Sequence, residues 1–172
     1  KAVEHMLELA QYVFSAMIYG MRFHYTPSDN ARGVKEIFEI ELTAEIPWGD
    51  PGLEVMNTRV EDDKLFARIL YNLKDFQEKR RDGWQSNVIP SVSGNGRSNF
   101  IRDRLKKRPA IEEALKLGIR QYLQAKIYNK PKEVHGSLLL EKVPNISMIE
   151  GDYLAQVRFK LNIEEIIPYS VF

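Results

Sequence analysis

The sequence predicts an α+β fold built from two divergent helix–strand–strand repeats, each with a helix packed on a small antiparallel sheet. Segments 35–47 and 132–144 both begin with Lys-Glu, end with Pro and have the same length, and both carry apolar residues in an alternating strand pattern. A helical pattern that ends in Ala-x-Ile-Tyr precedes each segment, and an acidic turn with a strand pattern follows each. Three matched segments in the same order indicate a duplicated unit, and two such units can share one core.

The first repeat is predicted to span residues 1–73. Its helix covers residues 2–19, because apolar side chains recur there at intervals of three and four, and Gly20 provides a stop. An acidic pair, Asp62-Asp63, is expected to turn a hairpin near the end of the repeat. The predicted strands of this repeat cover residues 22–25, 38–46, 53–60 and 64–73.

A connecting segment is predicted over residues 74–108, and the second repeat over residues 109–172. The connecting segment is expected to contain a brief helix, a short strand interrupted by Pro90 and a loop at Gly94-Asn95-Gly96. Pro109 suits the first turn of the second helix, because the ring removes an N–H that has no partner there. The predicted strands of the second repeat cover residues 133–143 and 153–163.

The composition is typical of a globular protein. The chain has 172 residues, of which 44% are hydrophobic, and a formal net charge of +1. This length fits one ordinary domain or two small ones, and no apolar run is long enough to span a bilayer. The absence of cysteine excludes disulfides and thiolate metal sites. Because the chain begins at Lys1 without a signal-like segment, we expect a mature or trimmed form whose targeting segment is not visible.

No catalytic group recurs in the two repeats, and no Gly-x-Ser-x-Gly turn is present to expose a nucleophile. His5, His24 and His135 are far apart and follow no metal-ligand spacing. The carboxylates near Asp50 and at residues 61–63 lack the spacing of a calcium loop, so we interpret them as turn residues. The protein is therefore predicted not to be an enzyme and to have no catalytic residues, no cofactor and no metal site.

Positive charge is concentrated between Lys74 and Arg108, where ten Lys or Arg residues stand against four Asp or Glu residues. Such an asymmetry can mark a partner surface, and Trp84 and Phe100 lie nearby as aromatic contacts. An acidic protein, nucleic acid or an anionic lipid headgroup would each suit this surface, and a solvated linker is the alternative. The candidate partner-binding residues are Arg97, Arg102, Arg104, Lys106, Lys107 and Arg108.

The second repeat also has the outline of a known domain. A strand with Val92, Gly94 and Gly96 precedes a helix with small residues on one face, and two strands follow, the second after Glu-Gly-Asp. This order resembles the envelope-lipoprotein domain of bacterial flagellar outer-membrane accessory proteins of the FlgP and FlgT type. The resemblance covers residues 88–163 and, in its helix–strand–strand part, residues 2–73. A long basic insertion before Pro109 departs from that pattern.

The resemblance implies a periplasmic or outer-membrane-associated location and a structural role around a flagellum, without catalysis. We therefore predict a non-catalytic structural or assembly module of the bacterial cell envelope. Its expected partner is an envelope or flagellar protein, acidic where it meets the basic segment, and a homo-oligomer also stays open. The alternatives are a nucleic-acid-binding module built on residues 79–108, which is less favoured, and a small-ligand-binding domain.

Overall fold

A computed structural model describes residues 2–99 and 107–170, with Asn99 described by its backbone alone. The helices within these residues are α1 (Ala2–Ile18), α2 (Asp75–Asp82) and α3 (Arg108–Lys126), with a 3-10 turn at Asn30–Arg32. None of these helices has the length and apolar character needed to cross a membrane. The strands are β1 (Met21–Thr26), β2 (Ile37–Leu42), β3 (Leu53–Glu61), β4 (Lys64–Tyr71), β5 (Ser91–Asn99), β6 (Glu133–Leu140), β7 (Asn145–Ile149) and β8 (Asp152–Ile167).

Six strands form the main sheet, in which neighbours follow the order β2-β1-β6-β8-β5 and β7 also pairs with β8. All of these pairings are antiparallel. Strand β8 is 16 residues long, so it reaches β5 along one edge and both β6 and β7 along the other. Among the described strands, β3 and β4 pair only with each other, outside the main sheet. The predicted α+β class, with helices packed on antiparallel sheets, is confirmed.

One hydrophobic core lies between a single face of the main sheet and helices α1 and α3. Helix α3 supplies its fully buried stripe of Ile111, Leu115 and Ile119, at the helical spacing that the sequence predicts. Helix α1 buries its second half, from Tyr12 onward, and its side chain at Phe14 is only half-buried. The two helices therefore share one core. The first half of α1 and the side chain of Phe14 are less buried in it than the apolar stripe of α3.

The predicted loop at Gly94-Asn95-Gly96 is wrong, because these residues lie within strand β5, paired with β8. Helix α3 passes so close to this strand that a Cβ atom added at Gly94 or Gly96 would overlap the backbone of Ala114. The glycines thus allow helix α3 to pack directly against the backbone of β5, and they do not serve as flexible turn residues. The predicted connecting segment therefore contributes a full strand to the main sheet.

The predicted duplication is not confirmed by the way the strands pair. The matched segments have the same element types: helices α1 and α3, strands β2 and β6, and the hairpins β3–β4 and β7–β8. In the second half, β8 pairs with β6 inside the main sheet. In the first half, β4 lies outside the main sheet, and β2 pairs with β1 instead of β4. The local pattern repeats, but the arrangement of strands does not.

Candidate functional site

The structure describes three of the six predicted basic residues. Arg97 is exposed on β5, opposite Leu154 of β8. Lys107 and Arg108 are exposed at the start of helix α3. The other three predicted residues, Arg102, Arg104 and Lys106, lie outside the described residues.

Arg108 joins the two long helices. Its Nε donates a hydrogen bond to Glu112 Oε1 at 2.7 Å, and its guanidinium lies 4.3 Å from the ring centre of Tyr12 on α1. Burial, reinforced by the charge of Glu112, raises the pKa of the Tyr12 phenol. Lys107 also faces an aromatic ring, with Nζ 5.9 Å from the ring centre of Tyr153. Part of the predicted basic surface is therefore engaged in contacts that hold the fold together.

A second group of polar side chains lies on the face of the main sheet that points away from the helices. Successive side chains of a strand alternate between faces, so His24 of β1 and His135 of β6 lie opposite the buried Phe23 and Val134. The two histidines are direct cross-strand partners. Their rings stack with centroids 4.4 Å apart and an interplanar angle of 10°.

Glu133 completes this group, two residues before His135 on the same face of β6. Its Oε2 lies 3.5 Å from Nε2 of His24 and 3.5 Å from Nε2 of His135. Within the part of the chain that the structure describes, this is the one group of three potential metal ligands with all donor atoms within 4.8 Å. We refer to His24, Glu133 and His135 as the histidine cluster.

Two further carboxylates flank the histidine cluster. Glu39 of β2 is the cross-strand partner of His24, and its Oε2 lies 3.4 Å from His24 Nδ1. Glu165 of β8 is the cross-strand partner of His135. Four neighbouring strands thus place two imidazoles between acidic side chains, which is an arrangement that attracts cations.

The sequence argument against a metal site depended on the wide spacing of the histidines. The antiparallel pairing of β1 with β6 removes that argument, because it sets His24 directly opposite His135. Each histidine is on the polar face of an alternating strand, and this was the only local signal. Finding the cluster from sequence would have required the long-range pairing of β1 with β6.

Hairpin β3–β4, which we call the arm, has apolar side chains with little cover. The register puts Val55 with Ile69 and Val60 with Leu65 on one face of the arm. Val60 is 73% exposed, and the side chains of Leu65 and Ile69 are only half-buried. The tip turns at Asp62 and Asp63, both with positive φ, as a two-residue hairpin turn of type I′ requires.

The base of the arm is held by a small polar network. Gln77 of α2 is 1% exposed, and its Nε2 donates to the hydroxyl groups of Tyr19 and Tyr71, each at 2.9 Å. Asp50 accepts from the backbone N–H of Gly52 at 2.8 Å and lies 3.4 Å from Lys74 Nζ. These contacts hold the pKa of Asp50 below its usual value, and the hydrogen bond from the backbone N–H of Gly52 contributes most. The arm is therefore anchored at one end and exposed along its length.

A family model whose description names no activity matches residues 1–169, and the chain belongs to that family. An uncharacterized protein of Treponema pallidum (strain Nichols) is 26% identical over 165 residues, which cover 96% of this chain and 69% of that protein. No solved structure matches the chain at a significant level. The arm and the histidine cluster are therefore the features that bear on function.

Proposed function

We propose that this family member is a non-catalytic assembly module of the bacterial cell envelope that acts through protein–protein contacts. The observation that supports a contact function is the arm, whose apolar side chains stay exposed or half-buried along β3 and β4. A relative in the bacterium Treponema pallidum fits a bacterial setting. The envelope location and the flagellar association rest on the resemblance of the second half to flagellar accessory domains.

The physical case for a partner is that the arm is poorly stabilised by itself. A two-stranded hairpin is at best marginally stable in water, and this one is tied to the body at its base. Full burial of a side chain such as Val60 or Leu65 against a partner stabilises a complex by about 1.5–3 kcal/mol. The outer edges of β3 and β4 also leave backbone groups that can pair with an added strand. The arm thus offers both apolar area and a strand edge to another protein.

The test is photo-crosslinking in cells with a photoreactive amino acid placed at Val60 of the arm. The matched control is Val88, an apolar residue that is 89% exposed and lies outside the arm. We expect a discrete crosslinked protein from position 60 and none from position 88. Equal crosslinking from both positions, or none from either, would contradict the proposed contact. A product of twice the mass of the chain would identify a second copy as the occupant.

The substitution Val60→Glu should weaken capture of that partner about tenfold or more while leaving the free energy of unfolding nearly unchanged, as is usual for exposed positions. Val88→Glu serves as the control for the added charge.

Fractionation of cells, followed by detection with an antibody to the chain, tests the location. We expect the protein in the periplasmic or outer-membrane fraction, and recovery in the cytosol alone would refute the envelope part of the proposal.

The predicted basic residues stay a prediction within this proposal. Arg97 is exposed and can contact an acidic neighbour, whereas Arg108 is already paired with Glu112 and Lys107 lies near the Tyr153 ring. Charge reversal at Arg97 should weaken association in a salt-dependent way if the partner is acidic there. The crosslinked product from the arm identifies the protein on which this can be measured.

A further inference from the structure

We propose that the histidine cluster is a binding site for one divalent transition-metal ion of the zinc class. The ligands are Nε2 of His24, Nε2 of His135 and Oε2 of Glu133, with a fourth position open to water. Because β1 comes from the first half of the chain and β6 from the second, the ion would link the two halves. This inference is independent of the proposed assembly function.

The spacing of the donor atoms fits such an ion. In a tetrahedral zinc site with bonds of about 2.1 Å, ligand atoms lie about 3.4 Å from one another. The Glu133 oxygen lies 3.5 Å from each of the two histidine nitrogens. The two imidazoles stack nearly parallel, so they must tilt to direct both Nε2 atoms at one ion. Their side chains are 33% and 37% exposed, which leaves room for that rotation.

The nitrogen atoms of His24 provide a second, separate observation. Its Nε2 is buried and, among the described residues, makes no hydrogen bond. Its Nδ1 lies 3.4 Å from Glu39 Oε2, so an Nδ1–H group can donate a hydrogen bond to that carboxylate oxygen. A carboxylate on Nδ1 fixes the tautomer that leaves the Nε2 lone pair available to a metal, as is usual for metal-binding histidines. Glu39 is therefore inferred to be a positioning residue.

The donor set also restricts the kind of ion. Imidazole nitrogen with one carboxylate suits zinc, cobalt, nickel and copper. Calcium and magnesium prefer oxygen ligands, with six or more around calcium. The cluster offers two nitrogen atoms and one oxygen atom, so magnesium and calcium should not compete. If magnesium and calcium fail to bind, the site selects its ion by the ligand atoms and does not merely attract cations to an acidic face.

The experiment uses protein without a polyhistidine tag, stripped with chelator and then dialysed. Cobalt titration followed by absorption spectroscopy reports coordination directly, and calorimetry with zinc reports stoichiometry and affinity. We expect one ion per chain and a rise in the temperature of unfolding with zinc, because an ion that binds the folded state stabilises it. Magnesium and calcium at the same concentration should leave that temperature unchanged.

Substitutions of the proposed ligands and of Glu39 test whether zinc binds at the histidine cluster. His135→Gln and Glu133→Gln should each lower zinc affinity at least about tenfold, and Glu39→Gln should do so by a comparable or smaller factor. The matched control is His5→Gln, since His5 lies on α1, 3.2 Å from Glu8 and outside the cluster. Circular dichroism checks that each variant is folded, and the Glu133 and Glu39 variants decide the matter if a histidine variant unfolds. The proposal is overturned if no cobalt spectrum develops, if zinc affinity persists in the cluster variants, or if it is lost with His5→Gln.

Discussion

The hairpins β3–β4 and β7–β8 have similar sequence patterns and opposite surroundings. Both turn through two residues with positive φ, Asp62-Asp63 in the arm and Glu150-Gly151 between β7 and β8. Strand β8 continues for 16 residues and pairs with three neighbours in the main sheet. Strand β4 ends at Tyr71 after eight residues and pairs with β3 alone. One hairpin belongs to the core, and the other extends from it.

The difference lies in which faces are covered. Alternate residues of β8, among them Phe159 and Leu161, are almost fully buried under helix α3 and its neighbours. The corresponding side chains of β4 are half-buried, and the other face is exposed. A local pattern of alternating apolar residues predicts that a strand forms, but the depth of burial depends on distant segments. The comparison therefore predicts that equivalent substitutions in the two hairpins have unequal effects.

The largest expected effect is at the core hairpin. Phe159→Ala should lower the free energy of unfolding by about 3–5 kcal/mol, because it leaves a cavity beside Gly118 of α3. Phe66→Ala, at a site in the arm that is 43% exposed, should cost less than about 1 kcal/mol. Urea unfolding of the two variants measures both values. Similar losses would show that the arm is as well packed as the core.

Much of the fold follows from local signals. The apolar period of Ile111, Leu115 and Ile119 predicts α3 and its buried face, and Pro109 lies in its first turn as expected. The β3–β4 hairpin also follows from the sequence, including its turn at Asp62 and Asp63. Strand β7 lies between the predicted strands 133–143 and 153–163 and is not among them, because its five residues become a strand only by pairing with β8. Elements with their own period are predictable, whereas elements defined by a distant partner are not.

The candidate site shows the same limit. His24 and His135 follow no spacing in sequence, and only the pairing of β1 with β6 brings them together. The glycines at 94 and 96 are conspicuous in the sequence, but they were predicted as a loop. Their role depends on the closeness of α3, which no local pattern reveals. Strand register and helix approach are long-range properties, so both the histidine cluster and the glycine strand required the structure.

A smaller effect is expected at the anchor of the arm. Gln77→Leu removes the donor to Tyr19 and Tyr71 and the acceptor for the backbone N–H of Lys74. Buried polar groups left without partners cost about 1–3 kcal/mol each. Hydrogen exchange should therefore speed up for arm amides and stay unchanged for amides of β6 and β8. Gln85→Leu, at an exposed position, is the control. Uniform loss of protection in both hairpins would show that the arm is not a separate cooperative unit.

The smallest expected effect is on stability in acid, and it arises from a charged group at the base of the arm, Asp50. The pKa of Asp50 at the base of the arm is lowered in the folded protein by the backbone N–H of Gly52, assisted by Lys74. A lowered folded-state pKa stabilises the protein above the unfolded value, about 3.9 for Asp, and this stability is lost as the pH falls through the folded pKa. Asp50→Asn should therefore be less stable than the parent at neutral pH, and the gap should close below about pH 4.

Urea midpoints measured from neutral pH to about pH 2 test this prediction, with Asp82→Asn at an exposed position as the control. The carboxylate of Asp50 has a side-chain exposure of 4%, but Lys74 is 52% exposed, so solvent screens their attraction. The gap should consequently be small and should depend more on the hydrogen bond from Gly52 than on salt. A gap that stayed constant with pH would mean that the Asp50 charge does not hold the arm. The polar network around Gln77 would then be the anchor that fixes the arm to the body.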